Sequence, residues 1–198
     1  MVAAASRLTR CGLVLALAGT ALGVCAAPGS WSVEGACRDG LPHGSYELRG
    51  ADGALRATGA FNKGARTGSF LFWNARGART AQLPFDDDVL SGTVALWYAP
   101  KDAGSDPPPK LEAAYARGAR HGATRAWQPN GRMRLELQYD HGELIDALAY
   151  GPAGAPLSDA EARALAARDS AADAKIVATL EALVRDHPPS CVHPGSSP

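Results

Sequence analysis

The sequence has no excess of charge of either sign. Its 20 Lys and Arg are matched by 20 Asp and Glu over 198 residues, so it lacks the basic surface that a phosphate backbone rewards, which argues against nucleic acid as a partner. Familiar catalytic turns are missing as well. No G-x-S-x-G elbow and no P-loop occurs, and the glycines are spaced as hairpins space them rather than as a phosphate cradle after a parallel strand. Long apolar runs are scarce. The main one, "CGLVLALAGTALGV" (11–24), is too short for a comfortable membrane span, follows Arg7 and Arg10, and leads into the small residues "CAAP". That order is the order of a secretory signal, so residues 1–27 are expected to be removed on export. Losing the two arginines would leave the mature chain at a formal charge of −2. The stretch "LGVC" approximates a lipobox that would anchor Cys25, but Val24 is bulky where a small residue is needed.

Cysteine is nearly absent too. Of four, Cys11 and Cys25 would leave with the signal, so Cys37 and Cys191 remain, in a compartment where disulfides persist.

What the chain does contain is a rhythm. The spacing G-x-x-x-G appears as "GLPHG" (40–44), "GARTG" (64–68) and "GARHG" (118–122), with a degenerate copy "DVLSG" at 88–92. The closing glycines Gly44, Gly68, Gly92 and Gly122 lie 24, 24 and 30 residues apart. The longer interval is filled by "PKDAGSDPPPK" (100–110). Asp52-Gly53, Arg76-Gly77 and Asn130-Gly131 read as two-residue hairpin turns. Between glycines the residues alternate. Tyr46, Leu48, Phe70, Phe72, Val94 and Leu96 on first strands, and Leu55, Ala57, Phe61, Leu83, Phe85, Leu111, Ala113, Tyr115, Met133, Leu135, Leu137 and Tyr139 on second strands, should share one apolar face. Arg56, Thr58, Gln82, Glu112, Arg134, Glu136 and Gln138 should face the other way. Connections this short pair strands antiparallel, giving an elongated meander of about nine strands.

The G-x-x-x-G spacing, the "HG" at 43–44 and 121–122, the turn glycines and the closing aromatics Phe61, Phe85, Tyr115 and Tyr139 resemble the MORN repeat, particularly the bacterial variant of proteins labelled YwqK-family antitoxins. The resemblance covers about residues 37–146. A fifth copy from "HGELIDALAYG" (141–151) decays, with Asp146 in the closing-glycine slot, as a capping unit would. The resemblance implies a non-enzymatic module for protein contact or lipid association. No cofactor is implied.

After the array, "LSDAEARALAARDSAADAKIVATLEALVRDHPP" (157–189) opens with the capping box Ser158 to Glu161 and ends at Pro188 and Pro189, which predicts a long helix with a break near Asp169–Ser170. Leu165, Ile176, Leu180, Leu183 and Val184 form its apolar stripe. A helix of about 30 residues reaches roughly 45 Å, and nine strands span roughly 38 Å. The helix should therefore run back over the apolar face from last repeat to first and bring Cys191 to Cys37. The organisation expected is a signal at 1–27, a repeat array at 28–151, and a helix with a proline-rich tail at 152–198.

Candidate chemistry is sparse. His43 and His121 occupy the same slot of equivalent turns, so their role is read as structural. His187, Cys191 and His193 would suit a metal only with a free thiol, and Asp86–Asp88 lack the loop of a calcium site. No metal is expected, and a hydrolase built on His187 and His193 would need a concave pocket. The remaining candidates are Trp73, Trp97 and Trp127, each five residues after a repeat glycine and opposite in parity to the core. Ordered aromatics in such a row are expected to anchor a protein partner. The rival expectation, attachment to a membrane surface, is disfavoured by the mature charge. A cell-envelope or periplasmic binding or scaffold protein, including a neutraliser of an effector, is the functional expectation.

Overall fold

The computed structural model describes residues 30–102 and 104–191. The signal-like segment and His193 lie outside them. The described chain is one open antiparallel meander followed by a single helix. Its strands are β1 (Ser32–Arg38), β2 (Leu41–Arg49), β3 (Leu55–Asn62), β4 (Ala65–Trp73), β5 (Arg79–Asp86), β6 (Val89–Leu90), β7 (Gly92–Trp97), β8 (Pro109–Ala116), β9 (Ala119–Trp127), β10 (Met133–Asp140) and β11 (Glu143–Ala149). Strand order follows chain order from β1 to β11, with the two-residue β6 pairing only with β5. The helix α1 spans Asp159–Arg185.

The glycine rhythm builds two different turns. At one margin of the sheet, Asp39-Gly40, Lys63-Gly64, Asp87-Asp88, Arg117-Gly118 and His141-Gly142 all have both φ angles positive, the geometry of the two-residue turn whose twist suits a hairpin. Asp88 fills the missing-glycine slot by adopting φ 65°. The opposite margin differs from the sequence expectation. Asp52-Gly53, Arg76-Gly77 and Asn130-Gly131 are not two-residue loops. Gly53, Gly77 and Gly131 donate backbone hydrogen bonds to Gly50, Asn74 and Gln128, three residues earlier, so each loop has three residues and a left-handed glycine at its end. Gly154 repeats the arrangement with Gly151. The decayed copy thus keeps its turn, and a bridge between Tyr150 and Pro156 closes the array.

A bulge follows each of the wider turns and corrects part of the predicted facing. Leu48 pairs with Ala57 but Arg49 with Leu55; Leu135 pairs with Ala126 but Met133 with Trp127. One residue of the second strand is skipped, so Leu55 and Met133 lie on the face of Arg49 and Trp127, not in the core. The same step inserts Thr80 after Arg79 and Lys110 after Pro109. Arg134, expected on the wet side, instead turns toward the helix.

The core is the apolar face. Tyr46, Leu48, Ala57, Phe61, Phe70, Phe72, Leu83, Phe85, Val94, Leu96, Leu111, Ala113, Leu135, Leu137 and Tyr139 are buried there. Helix α1 lies across it from the last strands to the first. Asp169 meets Arg134 of β10 at 2.6 Å, Ser170 meets Arg120 of β9 at 2.8 Å, and Asp173 meets Lys110 of β8 at 2.9 Å. Glu181 then meets Arg66 of β4 at 3.3 Å, and the carbonyl of His187 accepts from the Tyr46 hydroxyl of β2 at 2.9 Å. Strand number falls as helix residue number rises. The crossing ends at a disulfide between Cys37 of β1 and Cys191, whose Cα atoms are 5.6 Å apart.

The helix begins with the Ser158 and Glu161 capping box but is unbroken through Asp169–Ser170. Those two residues are held by the sheet rather than released to a bend. Its buried stripe is Ala162, Ala166, Asp173, Val177 and Val184. Leu165, Leu180 and Leu183 flank the stripe, while Ile176, predicted to belong to it, is 37% exposed. The small residues Ala162 and Ala166 fall at the start, over the last strands, where Ala147 and Ala149 of β11 are also small and buried, so helix and sheet approach closely there. One strand went unread in the sequence: β1, with Val33 opposite Leu48 and Gly35 opposite Tyr46, extends the core before the first glycine motif.

Candidate binding face and edge histidines

The helix occupies one face of the sheet and leaves the other open. On the open face the bulges align a transverse row of side chains. Trp73 pairs with Arg79, Trp97 with Pro109 and Trp127 with Met133, while Arg49 with Leu55 fills the equivalent place in the first hairpin. All three tryptophans are half-buried. The Arg79 guanidinium lies 4.2 Å from the Trp97 ring centroid, a stacked cation that holds the indole in place. Because the tryptophans sit on alternate strands along the row, strand spacing puts neighbours about 10 Å apart. An open groove of about 830 Å3 adjoins the row, lined by Leu71, Trp73, Arg76, Arg79, Pro100 and Asp106 among others.

The repeat glycines are what make the row regular. Gly44, Gly68, Gly92 and Gly122 take φ of 93°, 70°, 114° and 97°, left-handed values that other residues adopt only under strain. Gly92 opens β7, Gly44, Gly68 and Gly122 are each the fourth residue of β2, β4 and β9, and in all four strands the fifth residue after the glycine is the row position.

On the helix side, Tyr98 donates to the Trp127 carbonyl at 2.9 Å, and burial pushes its hydroxyl pKa up. Burial would raise the Asp169 pKa, but hydrogen bonds from Arg134 and Arg168 outweigh it and hold the carboxyl below its usual range. Asp88 has the same balance, with burial opposed by Arg66. Its Oδ1 accepts from the Arg66 backbone and side chain at 2.9 and 2.7 Å, so the acidic turn 86–88 is tied to the preceding hairpin.

The histidines divide in the same way. His187 packs its ring against Trp31 at 4.9 Å, with Nδ1 2.8 Å from the Leu183 carbonyl. Cys191 is spent in the disulfide, so no thiol joins His187. His43 Nδ1 accepts from the Lys63 backbone and His121 Nδ1 from the His141 backbone, each at 3.4 Å. Both thus cap the next two-residue turn. Around His121, however, Asp140 and His141 also converge, with ligand atoms of the three all within 4.8 Å of one another. The sequence reading missed this grouping. The signal available was the 20-residue offset from His121 to His141, which the repeat converts into contact.

No family model matches the chain, and no curated protein matches it. The fold and the open face define a one-sided repeat sheet sealed by a helix. Among the described residues no helix is long and apolar enough to cross a membrane, and the disulfide points to an oxidising compartment.

Proposed function

We propose that this is an exported, non-enzymatic repeat protein of MORN type that holds another protein on its tryptophan-bearing face. One observation carries the reading: Trp73, Trp97 and Trp127 stand in a row on the face that the helix does not cover. A large aromatic held in place by neighbours contributes apolar contact area while little side-chain entropy remains to be lost. The disulfide and the signal-like first 27 residues support a periplasmic or envelope setting.

The test is capture from envelope extract by the mature protein, compared with a variant carrying Trp73→Ala, Trp97→Ala and Trp127→Ala. The reading expects the captured partner to be lost with the indoles while the far-UV spectrum is retained. Capture at wild-type level by the folded variant would remove it.

A further inference from the structure

His121, Asp140 and His141 form the densest group of ligand-type side chains among the described residues. His121 lies on β9 beside the end of β10, where Tyr139 pairs with Gly122. Asp140 ends β10, and His141 opens the two-residue turn into β11. Asp140 Oδ1 is 3.1 Å from His121 Nδ1 and 2.6 Å from His141 Nδ1. The imidazole centroids are 4.8 Å apart. All three side chains reach solvent, with exposures of 45%, 58% and 81% in sequence order, so an ion has a path in.

The repeat supplies an internal control. The first copy places His43 against the turn Asn62-Lys63-Gly64 with the same backbone contact to the histidine Nδ1. In the second copy the three slots hold Thr67, Asp86 and Asp87, and in the third Ser91, Ala116 and Arg117. Only the last described copy combines His, Asp and His. The hairpin geometry is common to the copies, and the ligand chemistry belongs to one.

We propose that His121, Asp140 and His141 bind one divalent transition-metal ion of the zinc class. Two imidazoles and a carboxylate suit such an ion better than magnesium or calcium, which favour all-oxygen shells. A tetrahedral ion with bonds of about 2.0–2.2 Å sets ligands roughly 3.4 Å apart. The 3.1 Å between His121 Nδ1 and Asp140 Oδ1 is close to that figure, whereas the 2.6 Å between His141 Nδ1 and Asp140 Oδ1 is a hydrogen-bond length that opens when the exposed His141 ring turns, and an ion at His121 Nδ1 displaces the long 3.4 Å contact from the His141 backbone. Three protein ligands leave a fourth position for water or for a group brought by a partner.

Titration calorimetry of the oxidised mature protein with ZnCl2 tests the site. The expected result is one ion per chain with an affinity in the micromolar range, weakened at least tenfold by Asp140→Asn and by His141→Lys. These substitutions copy Asn62 and Lys63, which the same turn accommodates at φ 50° against 48° at His141, so the variants should fold. His43→Ala should leave binding unchanged. Absence of saturable binding, or binding that survives both Asp140→Asn and His141→Lys, would overturn the assignment.

Discussion

Gly59 has no side chain because Phe70 occupies the place where one would go. A Cβ there would meet the phenyl ring at 2.5 Å, and the ring itself is fully buried between Tyr46, Phe61 and Phe85, in tilted and edge-to-face contacts. Gly59→Ala should therefore destabilise the fold by about 1–3 kcal/mol, the usual range for overpacking a filled core, read as a lower urea midpoint. Tyr46, beside it, makes a pH prediction. Burial raises its hydroxyl pKa to about 12, above the ordinary value near 10. The neutral form is favoured in the folded state, so this contribution is fully present below about pH 10 and is lost as pH rises toward 12. Alkaline unfolding monitored by circular dichroism should begin in that window. Tyr46→Phe should weaken the dependence, leaving the smaller part due to Tyr98, and should remove the hydrogen bond to the His187 carbonyl.

At the scale of elements, the helix is fastened by charges as well as by apolar contact. Asp173 is buried and meets Lys110 at 2.9 Å. Lys110→Met would leave that carboxylate unpaired and should cost about 3 kcal/mol, toward the low end for breaking a buried pair because Lys110 keeps some solvent contact. Adding Asp173→Leu should recover most of the loss, and a thermal-unfolding cycle of the single and double variants measures both. These fastenings also show how far the sequence could be read. Strand alternation and the glycine intervals located β2 to β5 and β7 to β11, and the capping box located the start of α1. The bulges could not be read, since the skipped residues Arg56, Thr80, Lys110 and Arg134 share no residue type that announces them. Reading past them put Leu55 and Met133 on the wrong face. It also hid the cations that hold α1, and the helix stripe was misjudged because the alanines and Asp173 that face the sheet look polar or neutral in sequence. The tryptophan row was visible as a parity exception. The His121, Asp140 and His141 group was not, because its members become neighbours only through a repeat-length hairpin.

At the scale of the molecule, one side of the sheet is consumed by folding and the other is left free. The 154-residue separation between Cys37 and Cys191 makes their bond a tie between the two ends of the array, and restricting so long a loop in the unfolded chain contributes roughly 2–5 kcal/mol. Buried Pro189 packs on the notch at Gly35, where a Cβ would meet it at 2.7 Å, so the tail is seated as well as bonded. A helix fastened to strands from β10 to β2 and tied to β1 by the disulfide braces the array along its length, and with it the row of tryptophans on the open face. Hydrogen exchange of the oxidised protein and of its Cys37→Ser, Cys191→Ser variant measures this directly. Amides of α1 in the oxidised protein are expected to exchange as slowly as those of β8 and β9, with the variant losing protection first in β1 and the last turns of α1. Rapid exchange throughout α1 in the oxidised protein would contradict the account, because the apolar face would then lack its cover.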